Sequence, residues 1–122
     1  MPVDDIVVIE RRIDDSELKR LVERFFEDMV KFVVDVRLRL AAVGGELHAD
    51  AEQILLDRGS RQEDLWGANY YPGRGRAGCV ELTALINIRP SQGNRSMEIA
   101  DPDVARSVVE IAHALLGEGE PL

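Results

Sequence analysis

Residues 30–45 read VKFVVDVRLRLAAVGG, and the fold turns on whether this run is strand or helix. Val30, Phe32, Val34, Val36, Leu38 and Leu40 alternate with Lys31, Val33, Asp35, Arg37 and Arg39, a period of two rich in β-branched residues. Phe32, Val33, Val36, Leu40 and Val43 also suit a helical stripe that would continue an upstream helix as far as Gly44. Size decides between them. A helix from Asp15 to Val43 would run ~43 Å, whereas a compact domain of this length is roughly 35 Å across. The run is therefore predicted as a strand over Val30–Leu40, with a bend or turn within Arg37–Gly45. That strand predicts Phe32, Val34 and Val36 buried, and Lys31, Asp35 and Arg37 exposed.

Upstream, Ile6-Val7-Val8-Ile9 reads as a short strand, from about Asp5 to Arg11. Asp14 and Glu17 have capping-box spacing, and Ile13 and Leu18 occupy the positions of a hydrophobic staple. Leu18, Leu21, Val22, Phe25 and Met29 then give an amphipathic helix packed on a sheet. Downstream, Glu46–Leu56 alternates like a strand, with Glu46, His48, Asp50 and Glu52 on one side. Asp57–Ser60 supplies a hairpin turn through Gly59. Gln62–Tyr71 returns as a strand in which Gly67 marks a bulge or a close backbone approach. Pro72–Gly78 is a flexible loop, and Val80, Leu82, Ala84, Ile86 and Ile88 alternate through a further strand that Pro90 ends. Asp101-Pro102-Asp103 opens a second helix, whose buried stripe is Val104, Val108, Ile111 and Leu115 and which Gly117 closes. The expectation is a single α+β domain over residues 1–122, frayed from about 117. It is an antiparallel meander of about four to five strands with two helices packed on one face.

A chain of 122 residues can bury a sizeable core without staples, and its one cysteine, Cys79, rules out an internal disulfide. The first ten residues lack the basic and apolar blocks of a signal peptide, and no apolar run approaches the ~20 residues of a membrane span. A cytoplasmic protein is expected. The formal net charge of −8 argues against non-specific nucleic-acid binding. Charge is uneven, however: Glu46–Asp64 holds six acids and two arginines, and Arg74–Arg95 four arginines and one acid.

Four blocks, DMVKFVVDV (residues 28–36), GGELHADAE (44–52), GSRQEDLWGANYYP (59–72) and INIRPSQGNRSMEI (86–99), carry a family resemblance. The chain resembles, from about Asp14 to Leu116, a prokaryotic family of small proteins known as a domain of unknown function, family 5674. Its departure from that pattern falls in the loop Gly73–Gly78. The resemblance brings no activity, substrate, cofactor or catalytic residue.

The polar residues must then be weighed for themselves. On a strand, Glu46, His48, Asp50 and Glu52 would leave one face about 7 Å apart. There His48 between carboxylates suits acid–base chemistry, although a solvent-facing strip has the same pattern. One histidine without a second His or a Cys is a poor transition-metal set, so no metal and no cofactor is expected. Trp66 and Tyr70 read as core, while Asn69, on the face of Leu65 and Gly67, is a half-buried amide that needs partners. Asn87, Arg89, Gln92, Asn94 and Arg95 are rich in donors, and Ser91–Ser96 is able to curl around an anion or to satisfy its own backbone. Pairing Cys79 with His48 as a nucleophile lacks an activating environment.

The candidate ligand-binding residues are His48, Asp50, Asn69, Asn87, Arg89, Asn94 and Arg95, and the first functional reading is a small-ligand or partner-binding module. The second is a hydrolase or transferase acting on a small anionic substrate, with His48 as acid–base, Asp50 as its orienter, and Arg89 and Arg95 as clamp. The third is a structural subunit that self-associates through a strand edge or helix. Neither nucleic acid nor membrane is an expected partner.

Overall fold

The computed structural model describes residues 5–122. Its five strands are β1 (Ile6–Ile9), β2 (Val30–Asp35), β3 (Leu40–Gly44), β4 (Leu65–Tyr70) and β5 (Val80–Glu81). They form one antiparallel sheet in the order β1-β3-β2-β4-β5. Four α-helices accompany it: α1 (Asp15–Phe25), α2 (His48–Asp57), α3 (Gly75–Gly78) and α4 (Pro102–Leu115). This is an α+β fold. Leu18, Leu21 and Val22 of α1 and Val108, Ile111 and Leu115 of α4 pack with Phe32, Val34, Val43, Trp66 and Tyr70 on one face. The other face was expected to be bare, but Ala51 and Leu55 of α2 pack there on Val33, Ala42 and Leu65. A sheet covered on both sides explains why β3, LAAVG, is apolar without alternation and buried throughout.

The decisive run is β-structure, as its period of two predicts, but it is a hairpin rather than one strand. The chain makes a tight turn at residues 36–39, at the front of the span expected to bend, and Arg39 takes a positive φ of 57°. The cause is Asp35, which was expected to be exposed and is fully buried. Its Oδ1 accepts from the backbone N–H of Arg37 and of Leu38, both at 2.9 Å, and its Oδ2 accepts from Ser60 Oγ at 2.7 Å. A carboxylate satisfied in this way behaves as a turn cap and no longer as a solvent-facing strand residue.

Helix α1 starts after Asp14, but the carboxylate of Asp14 makes no cap hydrogen bond. Glu17, the expected box partner, is instead bound by Arg20 Nε at 3.0 Å and Nη2 at 2.9 Å, an attraction that lowers its pKa. Ile13 and Leu18 do enter the same core. Met29 lies beyond the helix, which ends at Phe25.

Two predicted strands are corrected. Glu46–Leu56 is largely α2: Ala, Glu, Gln and Leu are good helix formers, and the buried positions His48, Ala51 and Leu55 follow helical spacing. Gly59 does take the positive φ (103°) its turn signal implies, but it closes a helix. Its N–H bonds to Leu56 O and that of Ser60 to Leu55 O, both at 3.0 Å, the paired bonds of a Schellman motif.

In Val80–Ile88 only Val80 and Glu81 pair with β4. Beyond them Thr83 bridges to Glu98 and Leu85–Asn87 forms a 3-10 turn. The strand stops because side chains take its place. Asn87 receives Gly67 N–H on Oδ1 at 2.9 Å and donates from Nδ2 to Gly67 O at 3.0 Å, as a neighbouring peptide would.

The loop Pro72–Gly78 contains the single-turn helix α3. α4 begins as predicted, with Asp101 Oδ1 accepting from Asp103 N–H at 2.8 Å and Pro102 at its first position. The tail expected to fray is tied down: Gly119 N–H donates to Tyr70 Oη at 2.9 Å, and Gly73 N–H to Gly119 O at 3.0 Å. No helix among the described residues is long and apolar enough to cross a membrane.

Candidate functional site

The seven candidate residues separate into three groups. Asn87, Arg89 and Asn94 are buried structural anchors. Arg89 donates from Nε to Ile86 O at 3.1 Å, from Nη1 to Gln62 O at 2.6 Å and Gln92 Oε1 at 3.1 Å, and from Nη2 to Leu65 O. Its guanidinium also stacks 4.2 Å from the Trp66 ring centre. Burial pushes its pKa down, and Glu52 opposes that shift. Asn94 Nδ2 is shared among Asn87 O (2.8 Å), Ser96 O (3.0 Å) and Glu98 O (2.8 Å), and Oδ1 accepts from Ala100 N–H at 2.8 Å. The INIRPSQGN segment thus closes the free edge of β4 and satisfies its own backbone. Asp50 and Arg95 form the second group, exposed on the surface. On a helix Asp50 points about 200° away from His48, so it does not orient the imidazole.

His48 and Asn69 are the pair that the fold brings together. Lys31 on β2 is in register with Asn69 on β4, and Asn69 with Glu81 on β5. The three therefore form a row across the sheet, on the face that α2 covers. His48, the first residue of α2, sits above this row in a recess of about 460 Å³. Leu47, Leu85, Ile86 and Met97 wall the recess, and Tyr71 and Thr83 also line it. Its floor needs Gly67: a Cβ there would lie 2.7 Å from Ala84 Cβ and 3.1 Å from His48 Cδ2. Gly67 faces Val33 in unbroken register, so it marks close approach and not a bulge.

The hydrogen bonds assign the polar atoms. His48 Nε2 lies 2.8 Å from Ala68 O, and a carbonyl only accepts, so Nε2 carries the proton and neutral His48 keeps its lone pair on Nδ1. Burial is the main cause lowering the His48 pKa, with Lys31 adding to it; the Ala68 carbonyl and the Asn69 side chain pull the other way. Asn69 Nδ2 donates to Glu81 Oε1 at 2.8 Å, which fixes the amide's orientation, and Tyr71 Oη donates to the same oxygen at 3.1 Å. Burial and Glu81 raise the Tyr71 pKa and keep that donor protonated. Asn69 Oδ1 is left without a partner of normal geometry, the one such buried side-chain atom among the described residues. The amide is close enough to favour protonated His48, yet neutral Nδ1 and Oδ1 are both acceptors.

Sequence reasoning missed Lys31, Tyr71 and Glu81 as members of this recess. Only the strand register places them there, although the alternation of β2 did put Lys31 opposite Phe32. His48 and Arg89 do not converge. They bind the carbonyls of Ala68 and Leu65, three residues apart on β4 or about 10 Å.

Two other surface recesses, about 600 Å³ each, are larger. One follows β1 and the other lies between α3 and α4, and three of their arginines are already paired, as Arg12–Asp15, Arg76–Glu118 and Arg106–Asp103. Among the described residues no three His, Cys, Asp or Glu side chains are grouped to hold a metal ion. Cys79 is buried in the core on the α1–α4 face, and burial raises its thiol pKa.

No curated protein and no solved structure matches the chain. A family model described as Protein of unknown function (DUF5674) matches residues 7–115, and the chain belongs to that family.

Proposed function

We propose that the protein is a cytoplasmic ligand-binding module whose site is the recess between the start of α2 and the β4–β5 edge. The observation that carries this is the unpartnered Oδ1 of Asn69, a side chain with 8% of its surface exposed. A buried acceptor without a donor costs about 1–3 kcal/mol; a ligand that donates to it recovers that energy. The Nδ1 lone pair of neutral His48, in the same recess, adds a second acceptor. The volume of about 460 Å³ suits one small molecule. The reading as a hydrolase of anions is less well supported, because Arg89 is occupied by backbone carbonyls and Arg95 is on the surface.

The test is a fragment titration followed by NMR, with the Asn69 amide and the His48 ring as reporters, on wild-type protein and Asn69→Leu. Fragments that donate hydrogen bonds are expected to shift both reporters in wild type, and to shift His48 much less in the variant. Asn69→Leu should leave stability unchanged or raise it by up to ~1 kcal/mol, since it removes an orphaned acceptor along with the half-exposed bond to Glu81 and a long one to Thr83 O. A loss above ~2 kcal/mol with no fragment bound at these residues would refute the proposal.

A further inference from the structure

The recess holds one cation, Lys31, and one carboxylate, Glu81, and neither has an ion-pair partner among the described residues. Lys31 reaches over the Phe26 ring, with Nζ 5.1 Å from its centre, a contact weak enough for a ligand to displace. Among the described residues Glu81 accepts only from the neutral donors Asn69 and Tyr71. The two sit on strands separated by β4, so their Cβ atoms are about 10 Å apart with the Asn69 amide between them. Opposite charges held apart on one floor form a fixed dipole.

The two ends of that dipole differ in hydrogen-bonding capacity. Toward Glu81 the open groups are acceptors, the Glu81 carboxylate and Asn69 Oδ1, and the Nδ1 lone pair of the His48 ring above the row is a third. Three acceptors match the three N–H groups of a primary ammonium. At the other end lies the Lys31 ammonium, and the first turn of α2 opens on the same recess. Its N-cap is Leu47, which provides no side-chain bond, so among the described residues the N–H groups of His48 and Ala49 are unclaimed while that of Asp50 turns back to Leu47 O. Such a turn favours a carboxylate. The nine-tenths-buried, unpartnered Asn69 makes this more than a bare helix end. Leu47, Leu85 and Met97, exposed by 56%, 73% and 42%, offer an apolar wall alongside.

From this geometry we infer that the ligand is a zwitterion with an apolar side chain, a free apolar α-amino acid, with its ammonium at Glu81 and its carboxylate at Lys31. The inference rests on the recess being a ligand site. It is tested by calorimetry and NMR titration with free leucine, methionine and phenylalanine, and with leucine methyl ester and N-acetyl-leucine as single-charge controls. At least one free amino acid is expected to shift the Asn69 and His48 signals, and to bind at least tenfold tighter than either leucine control. Lys31→Met at a half-buried position and Glu81→Gln at an exposed one should fold and each weaken that binding tenfold or more. Equal binding of the ester or the acetylated form, or undiminished binding in both variants, would overturn the inference. So would a Kd weaker than about 1 mM for all three amino acids. If they fail while other fragments shift Asn69 and His48, the ligand class falls and the site stands. If nothing shifts those reporters, both fall.

Discussion

Arg89→Ala tests the division between anchor and site. The guanidinium is 8% exposed and meets three backbone carbonyls, of Ile86, Gln62 and Leu65, with no hydrogen-bonded carboxylate. Truncation strands these acceptors at about 1–3 kcal/mol each. Water will reach Gln62, which is exposed, sooner than Leu65, which is fully buried. The cation–π contact with Trp66 is lost as well, worth about 2 kcal/mol when desolvated. Against this, the variant no longer buries a charge, which recovers part of a desolvation penalty of several kcal/mol. The net expectation is a loss of ~2–4 kcal/mol, a large share of the roughly 5–15 kcal/mol typical of a domain. Arg89→Lys should lose ~1–3 kcal/mol, because an ammonium cannot reproduce the fork. Urea melts with an unchanged slope would measure both. His48→Ala combined with Arg89→Ala should be additive within ~0.5 kcal/mol, since the sites share no partner and are about 10 Å apart. An Arg89→Ala loss below ~0.5 kcal/mol, or strong coupling to His48, would refute the assignment of Arg89 to the scaffold.

The remaining expectations follow from single contacts. Burial lowers the His48 pKa, so below about pH 6.5 the unfolded chain takes up the proton before the folded one. The neutral imidazole's contribution is present above that pH and is lost as pH falls through the folded pKa. Melts at pH 7.5 and 5.5 should show a drop in wild type that is smaller in His48→Gln. Asp35→Ala should cost ~2–4 kcal/mol in a urea melt, because two backbone N–H groups and Ser60 lose their acceptor; Asp35→Asn should restore part of it. Gly67→Ala places a methyl against Ala84 and the His48 ring. It should cost ~1–3 kcal/mol and move the His48 ring signals in NMR; a neutral result would mean that the floor of the recess is looser than described.

Periodicity, the Asp101 cap and the Ile13–Leu18 staple made the β-character of the decisive run, helices α1 and α4 and the core roles of Trp66 and Tyr70 legible in advance, because these depend on residues near one another in sequence. Gly59 and Gly67 were legible in part: positive φ and close approach could be read, but not what they served. Two errors share one cause. Val80–Ile88 alternates as a strand should, yet Asn87 and Arg89 point at β4 and replace the ladder with side-chain bonds that only a folded neighbour can offer. Glu46–Leu56 alternates too, but a sheet with an uncovered apolar face favours a helix there, and that face exists only once β2, β3 and β4 are paired. The recess is likewise a product of register. A one-residue slip of β4 would turn Asn69 to the opposite face and part it from Lys31 and Glu81. The amino-acid sequence by itself determined which segments are amphipathic and where the backbone must turn. Tertiary structure decided which polar groups are consumed as hydrogen-bond partners and which, like Asn69 Oδ1, are left open, because satisfaction of a buried group depends on atoms distant in the chain.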